Sequence, residues 1–309
     1  MGVKTNIKIY PNKSIDPSDH GEEKRRIEQS EDYNFVGFSE IPEYRTVNKE
    51  LLKAALSFLP QGLKKIVHVD NATGTGLIPQ LAVELYSELG ISATIFGIDP
   101  DLYALQKAVD FIPEVETAQV LLFQGYGQRL EELLKGYIPE EGVDLVSIHD
   151  AIHEIPGHDI KRAIFASQAK ILRRGGVQTY NSAFTTIGMG EAALKYGRWK
   201  LDAFAYFKQN RNKNVTAIEW YPSEEYANMI RDSGLKIIHE EVETVMLSRK
   251  ALEAISQYPE FVNGVFRDME NVENYTLAQK SEALIAALDK GGITGLPRLW
   301  HQIVARKEI

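Results

Sequence analysis

The sequence predicts a doubly wound α/β fold, a mostly parallel sheet covered by helices on both faces. Short β-rich runs alternate with amphipathic helical patterns from residue 63 to residue 182. The first of these runs ends in a carboxylate and opens onto a glycine loop ahead of a helix. After Phe184 the rhythm breaks, and it resumes with a helix and two more strands near the end of the chain.

Residues 1–32 form a polar segment whose stretch Lys13–Asp32 carries too few apolar side chains for a core element and reads as a mobile or loosely docked arm. Residues 33–62 read as a helical segment or lid: Leu51, Leu52, Ala55, Leu56 and Leu59 share one face of a helix over Asn48–Leu59, which Pro60 and Gly62 stop. The main domain, 63–309, holds predicted strands Lys65–Asp70, Ala93–Asp99, Gln119–Gln124, Asp144–His149 and Val177–Ser182. Between them fall helices over Leu77–Leu89, Leu102–Phe111, Gln128–Leu134 and Asp159–Leu172. An aromatic, basic insertion spans 185–222, then come a helix over Ser223–Ser233, a strand from Leu235 and a last strand over Arg298–Arg306. A helical insertion over 251–292 separates those strands, and its Leu277, Leu284, Ile285 and Leu288 can face either their own domain or a second copy in a homodimer.

With 43 acidic against 35 basic residues and a net charge of -8, no broad cationic field exists to neutralise phosphates, which argues against a nucleic-acid partner. The absence of cysteine excludes disulfides, thiolate metal sites and cysteine nucleophiles, and fits a reducing compartment. Met1–Asp32 has no apolar leader, and no later run approaches the ~20 apolar residues of a membrane span, so the chain reads as cytoplasmic.

The segment Ile66-Val67-His68-Val69-Asp70-Asn71-Ala72-Thr73-Gly74-Thr75-Gly76 carries the chemistry. Its glycines let a ligand approach the backbone, and the following helix offers unpaired N–H groups. A dinucleotide would want G-x-G-x-x-G, but Pro79 occupies the third glycine's place, and Asp70 would stand unfavourably near a pyrophosphate. S-adenosylmethionine instead brings an ammonium and a sulfonium, which suit that carboxylate. Asp99 follows Asp70 by 29 residues at the end of the second predicted strand, where an acid can hold both ribose hydroxyls.

With these residues in view, Ile66–Gly176 resembles the class I S-adenosylmethionine-dependent methyltransferases, especially the ubiquinone/menaquinone-biosynthesis C-methyltransferase branch. The likeness rests on Asp70–Gly76, Gly97–Asp99, Asp144–Pro156 and Ile171–Gly176. It implies a Rossmann-like sheet of seven strands, the last antiparallel, with cofactor and acceptor above the carboxyl ends of the strands. It sets Asp70, Ala72, Gly74, Gly76, Asp99, Pro100, Gly125, Tyr126, Gln128, His149 and Asp150 against the cofactor. Tyr126 stands where such enzymes often carry an acid for the adenine amino group, so stacking on Tyr126 and bonding to Gln124 or Gln128 would take its place.

The resemblance also sets His149, Asp150 and His153 beside the transferred methyl, with His153 the better candidate base and His149 the second catalytic candidate. A metal is not expected, because the histidines of His153-Glu154-Ile155-Pro156-Gly157-His158 are five apart with Pro156 and Gly157 between them, unlike H-E-x-x-H. Tyr44, His153, Trp199 and Tyr206 are the candidate contacts to a small-molecule methyl acceptor, with Phe35 and Phe38 closing the same pocket. The competing classes are a cofactor-binding protein without turnover and a nicotinamide-dependent oxidoreductase.

Overall fold

The computed structural model describes residues 6–12, 15, 40–183, 190–212 and 221–308 of the chain. Its elements run β1 (Ile7–Tyr10), α1 (Pro42–Ser57), β2 (Lys65–Asn71), α2 (Leu77–Glu88), β3 (Ser92–Asp99), α3 (Leu102–Phe111) and β4 (Ala118–Gln124). A 3-10 turn, Gly127–Arg129, leads into α4 (Leu130–Leu133), β5 (Val143–His149), α5 (His158–Ile171), β6 (Leu172–Ser182) and α6 (Gly190–Ala205). The chain closes with α7 (Ser223–Asp232), β7 (Leu235–Ser248), α8 (Arg249–Ile255), α9 (Pro259–Phe266), α10 (Leu277–Lys290) and β8 (Gly295–Lys307).

One sheet holds all eight strands in the order β1-β4-β3-β2-β5-β6-β8-β7. β8 lies antiparallel between β6 and β7, and the remaining pairs are parallel. Strands β2 to β8 are the seven that the sequence predicts. The eighth corrects that count: Ile7–Tyr10, within the segment read as an arm, pairs in parallel with Val120–Phe123. Tyr10 stacks on Phe123 with ring centroids 4.5 Å apart. Four residues carry too little periodicity to stand out, and it is the open edge of β4 that makes them a strand.

Strand alternation divides the core. Leu145, Val177 and Val304 face α1, α2 and α3, while Val146, Ile148, Tyr180 and Ile303 face α5 and α7. α1 is a layer of the sheet sandwich, while Tyr44 and Val47 of its first turns belong to a separate core with Trp300. Its Leu51, Leu52 and Ala55 are buried, and Arg45 reaches Glu84 and Gln80 of α2, each at 2.9 Å. It starts earlier than its apolar stripe suggests because Pro42 opens the first turn, where a missing N–H costs nothing.

β7 and β8 outrun their neighbour. β6 ends where Ser182 pairs with His301, whereas β7 and β8 stay paired as far as Ser248 and Gly295. This ribbon passes beyond the carboxyl end of β6 and carries a third core, in which Leu247, Leu296 and Trp300 meet α6, α8, α9 and α10. Leu284 and Leu288 of α10 are buried in that core inside their own chain, and the Trp199 indole of α6 donates to the Leu284 carbonyl at 2.9 Å. Among the described residues no helix is long and apolar enough to cross a membrane.

Gly76, which opens α2 at φ 87°, packs so closely on α3 that an added Cβ would lie 2.8 Å from the Ala108 Cβ. Gly76→Ala therefore combines left-handed strain with a helix-helix clash, and urea unfolding should show a loss of about 2 kcal/mol or more. A loss below ~0.5 kcal/mol would mean that α2 and α3 separate freely.

Candidate active site

The strand order reverses at β2, with β3 and β4 to one side and β5 and β6 to the other. At such a point the connections leave in opposite directions and open a crevice beyond the carboxyl ends of the strands. The sequence places its polar residues there. After a run of buried side chains, β2 ends in Asp70 and Asn71, and the loop turns through left-handed Ala72 (φ 62°) and Gly74 (φ 53°).

Thr73 fastens this loop to β3. Its N–H donates to the Ile98 carbonyl at 3.0 Å, and its Oγ1 accepts from Ile98 N at 3.0 Å while facing the Asp70 Oδ2 at 2.9 Å. Gly97 makes room for it, since a Cβ there would lie 2.9 Å from the Thr73 Oγ1. The next residue reaches Asp99, whose Oδ2 accepts from Gly74 N at 2.7 Å and whose Oδ1 accepts from Asp101 N at 2.9 Å. Asp101 in turn caps α3.

Asp70 is buried, and its Oδ1 accepts from the Ser147 hydroxyl of β5 at 2.6 Å. Burial pushes its carboxyl up to about 7, against the hydrogen bonds from Ser147 and Thr73, and the nearby Asp99 adds to the rise. Ser147, together with His68 and Tyr86 behind it, escapes sequence reasoning: a serine, a histidine and a tyrosine within ordinary strand and helix patterns carry no local signal.

After β4, Gly125 N donates to the Asp99 carbonyl at 3.0 Å, which brings Gly125, Tyr126 and Gln128 of the β4 loop beside Asp99 and Pro100. The Gln124 amide donates to the Pro100 carbonyl at 3.1 Å and accepts from Asn12 N at 3.0 Å, which fixes its orientation beside Pro100. Tyr126 and Gln128 remain half-buried at the crevice. Gly76 turns its α-carbon toward α3, so its part in the loop is packing.

After β5 the structure assigns the three candidates separate surroundings. His149 lies against Thr179, Nε2 to Oγ1 at 2.9 Å, and its buried Nδ1 has no partner among the described residues. Asp150 takes a left-handed turn (φ 49°) held by its N–H, which donates to the Asn181 carbonyl at 3.0 Å. Its carboxylate accepts from Ala183 N and from the Trp300 indole, each at 3.1 Å, so it braces β8. Burial raises it to about 6, while those bonds and Arg298 oppose the rise. His153 contacts the Ser182 hydroxyl through Nδ1 at 3.3 Å and is held well below its ordinary pKa by burial, then by Arg298 and Lys161.

Two buried cations were not foreseen. Lys161 of α5 donates to the carbonyls of Ile152 and Ile155 and so ties down the loop that carries His153. Arg298 of β8 lies over the Tyr196 ring, 5.4 Å from its centroid. A lysine on a helix and an arginine in a strand ordinarily read as solvent-facing.

Of the acceptor candidates, Tyr44 is buried with its ring edge-on to Trp300 at 4.8 Å. Trp199 is corrected to a core residue, 0% exposed, stacked on Phe261 and spending its indole N–H on Leu284. Tyr206 is corrected as well: at 61% exposed beyond the end of α6, it faces solvent. Phe35 and Phe38 lie outside the described residues. Among the described residues no group of three or more histidine, aspartate or glutamate side chains could hold a metal ion.

No family model matches the sequence, and no curated protein matches it. Solved structures do match. A Bacillus halodurans chain assigned as a methyltransferase, 14% identical, aligns over 85% of this chain and 100% of its own with a TM-score of 0.52. Loganic acid methyltransferase with S-adenosylhomocysteine, 11% identical, aligns over 88% of this chain and 94% of its own with a TM-score of 0.54. This chain has the Rossmann-like methyltransferase fold. At these identities the likeness is one of backbone. The methyltransferase fold here carries its additional strand, β1, on the β4 edge.

Burial, and secondarily His68, pushes the His149 imidazole down to about 3. The unfolded chain takes up that proton near pH 6.5, so the contribution of the neutral ring to stability is lost as pH falls from there toward 3. His149→Gln should make that loss shallower, by as much as ~1.4 kcal/mol per pH unit in urea unfolding across the window. Parallel curves for the two proteins would show that the ring takes up its proton in the folded state.

Proposed function

We propose that this chain is an S-adenosylmethionine-dependent methyltransferase acting on oxygen or carbon of a small, partly apolar acceptor. The observation that carries the reading is the pair of carboxylates, Asp70 and Asp99, set on either side of the glycine loop at the reversal point of the methyltransferase fold. A pyrophosphate would meet repulsion there, whereas a ligand bearing an ammonium and ribose hydroxyls matches it.

Asp99 is suited to the ribose. Its two oxygens accept the N–H groups of Gly74 and Asp101, which fixes the carboxylate plane at the end of β3 beside the glycine loop. Tyr126 and Gln128 offer adenine a ring face and an amide, and the buried Asp70 carboxylate puts negative charge beneath the loop that would hold the ammonium. Bound S-adenosylmethionine would supply a sulfonium methyl open to in-line displacement, which leaves the protein the work of alignment and exclusion of water. The helical layer over the carboxyl end of the sheet excludes water with Tyr44 and Trp300.

His153 serves as a hydrogen-bond acceptor that orients a hydroxyl, since a ring held so far below its ordinary pKa stays neutral but is a weak base. Carbon methylation, the chemistry of the ubiquinone/menaquinone branch, and oxygen methylation both suit an acceptor held this way.

Isothermal titration with S-adenosylmethionine, S-adenosylhomocysteine and NAD should show saturable binding of both adenosyl ligands and none of NAD; binding of NAD alone would overturn the reading. Asp99→Ala should weaken S-adenosylhomocysteine binding roughly tenfold or more while the circular dichroism spectrum is kept. Unchanged affinity would remove Asp99 from the ribose site.

A further inference from the structure

Asp70 is the end of a chain of buried side chains on the side of the sheet covered by α1 and α2. The Tyr86 hydroxyl of α2 lies 2.9 Å from the His68 Nδ1, the His68 Nε2 lies 2.8 Å from the Ser147 Oγ, and the Ser147 Oγ lies 2.6 Å from the Asp70 Oδ1. His68 and Asp70 alternate along β2 and so share a face, and Ser147 is the residue of β5 paired with Asp70. All four side chains are essentially inaccessible. Such a run of polar groups across a core is costly unless every link is made.

Each link can run in either direction. With His68 carrying its proton on Nε2, Tyr86 donates to Nδ1, His68 donates to Ser147, and Ser147 donates to Asp70, which can then be an ionised carboxylate. With a proton on Asp70 the chain reverses: Asp70 donates to Ser147, Ser147 to Nε2, and Nδ1–H to the Tyr86 oxygen. His68 is neutral in both arrangements, because burial pushes its imidazole down to about 3. The tautomer of His68 and the charge on Asp70 are therefore coupled. Between the two states one proton leaves Asp70 for solvent, two hydroxyls rotate, and His68 exchanges its N–H from Nδ1 to Nε2.

The groups packed against the chain supply no positive charge to Asp70. Thr73 holds the other Asp70 oxygen, Asp99 lies on the neighbouring strand, His149 stands two residues beyond Ser147, and Asp144 lies near Tyr86. None of these is a cation at neutral pH.

We propose that Tyr86, His68 and Ser147 are positioning residues for the cofactor's ammonium group, a reversible hydrogen-bond chain that the ammonium locks in the direction donating toward an ionised Asp70. This rests on the reading above, in which the buried Asp70 carboxylate lies beneath the ammonium of S-adenosylmethionine. A merely structural polar chain would keep one direction whether or not ligand is bound.

The test is nitrogen-15 NMR of the histidine-labelled full chain at neutral pH, with and without S-adenosylhomocysteine, the His68 signals being assigned by their loss in His68→Gln. The ligand should convert His68 to the Nε2–H tautomer, and Tyr86→Phe, which deletes a single hydroxyl two links from Asp70, should bind S-adenosylhomocysteine about fivefold more weakly. Binding by the native chain with no tautomer change, or Tyr86→Phe binding within about twofold of native, overturns the chain alone. Failure of the native chain to bind S-adenosylhomocysteine overturns the cofactor reading and this inference with it.

Discussion

Thr73 joins β2, β3 and the glycine loop, and the rest of the site is arranged around that joint. Its backbone and hydroxyl both engage Ile98, while the same hydroxyl meets Asp70. Each such bond contributes roughly 1 kcal/mol net, but leaving its buried partners unmatched would cost more than the bonds themselves supply. With Thr73 held, Gly74 can only present its N–H to Asp99, and the chain must pass through left-handed backbone to reach α2. The absence of a Cβ at Gly97 is the complementary requirement on the neighbouring strand.

That joint divides the carboxyl end of the sheet into two halves with different chemistry. Over β2, β3 and β4 the half is acidic and built from backbone, loop and short side chains, a setting for a ligand bearing positive charge and hydroxyls. Over β5, β6 and β8 it is aromatic, with neutral histidines and a buried guanidinium at Arg298. The ribbon of β7 and β8 makes the second half possible, because only strands longer than their neighbours can carry a helical layer out over the sheet end. In the proposed methyltransferase, cofactor chemistry and acceptor shape would thus be set by separate parts of the chain.

Burial gives the titratable groups their character. His68, His149 and His153 are all held neutral by desolvation, so none is an acid at neutral pH, and Asp70 and Asp150 are raised by the same cause. A site of this kind favours alignment over proton transfer. It also makes the ionisation of Asp70 dependent on what surrounds it, which is where the chain from Tyr86 acts.

The sequence by itself determined what short-range physics controls. The carboxyl ends of β2 to β6, the glycine turn and the two acids follow from strand alternation and turn chemistry, which act over a few residues, whereas β6 begins at Leu172 rather than at the predicted Val177. Tyr206 and Trp199 show where that reasoning stops: both are large aromatics near the end of one helix, yet one faces solvent and the other closes a core, depending on which neighbours arrive. β1 exists because β4 had an open edge, and α1 became a sheet layer because α2 lay beside it. Only the tertiary structure decided that His68 would meet Ser147 across 79 residues of chain and that Arg298 would be buried beside Tyr196. The physical reason is that a buried polar group is defined by its partner, and the partner is chosen by strand register and packing rather than by the residues next to it in sequence.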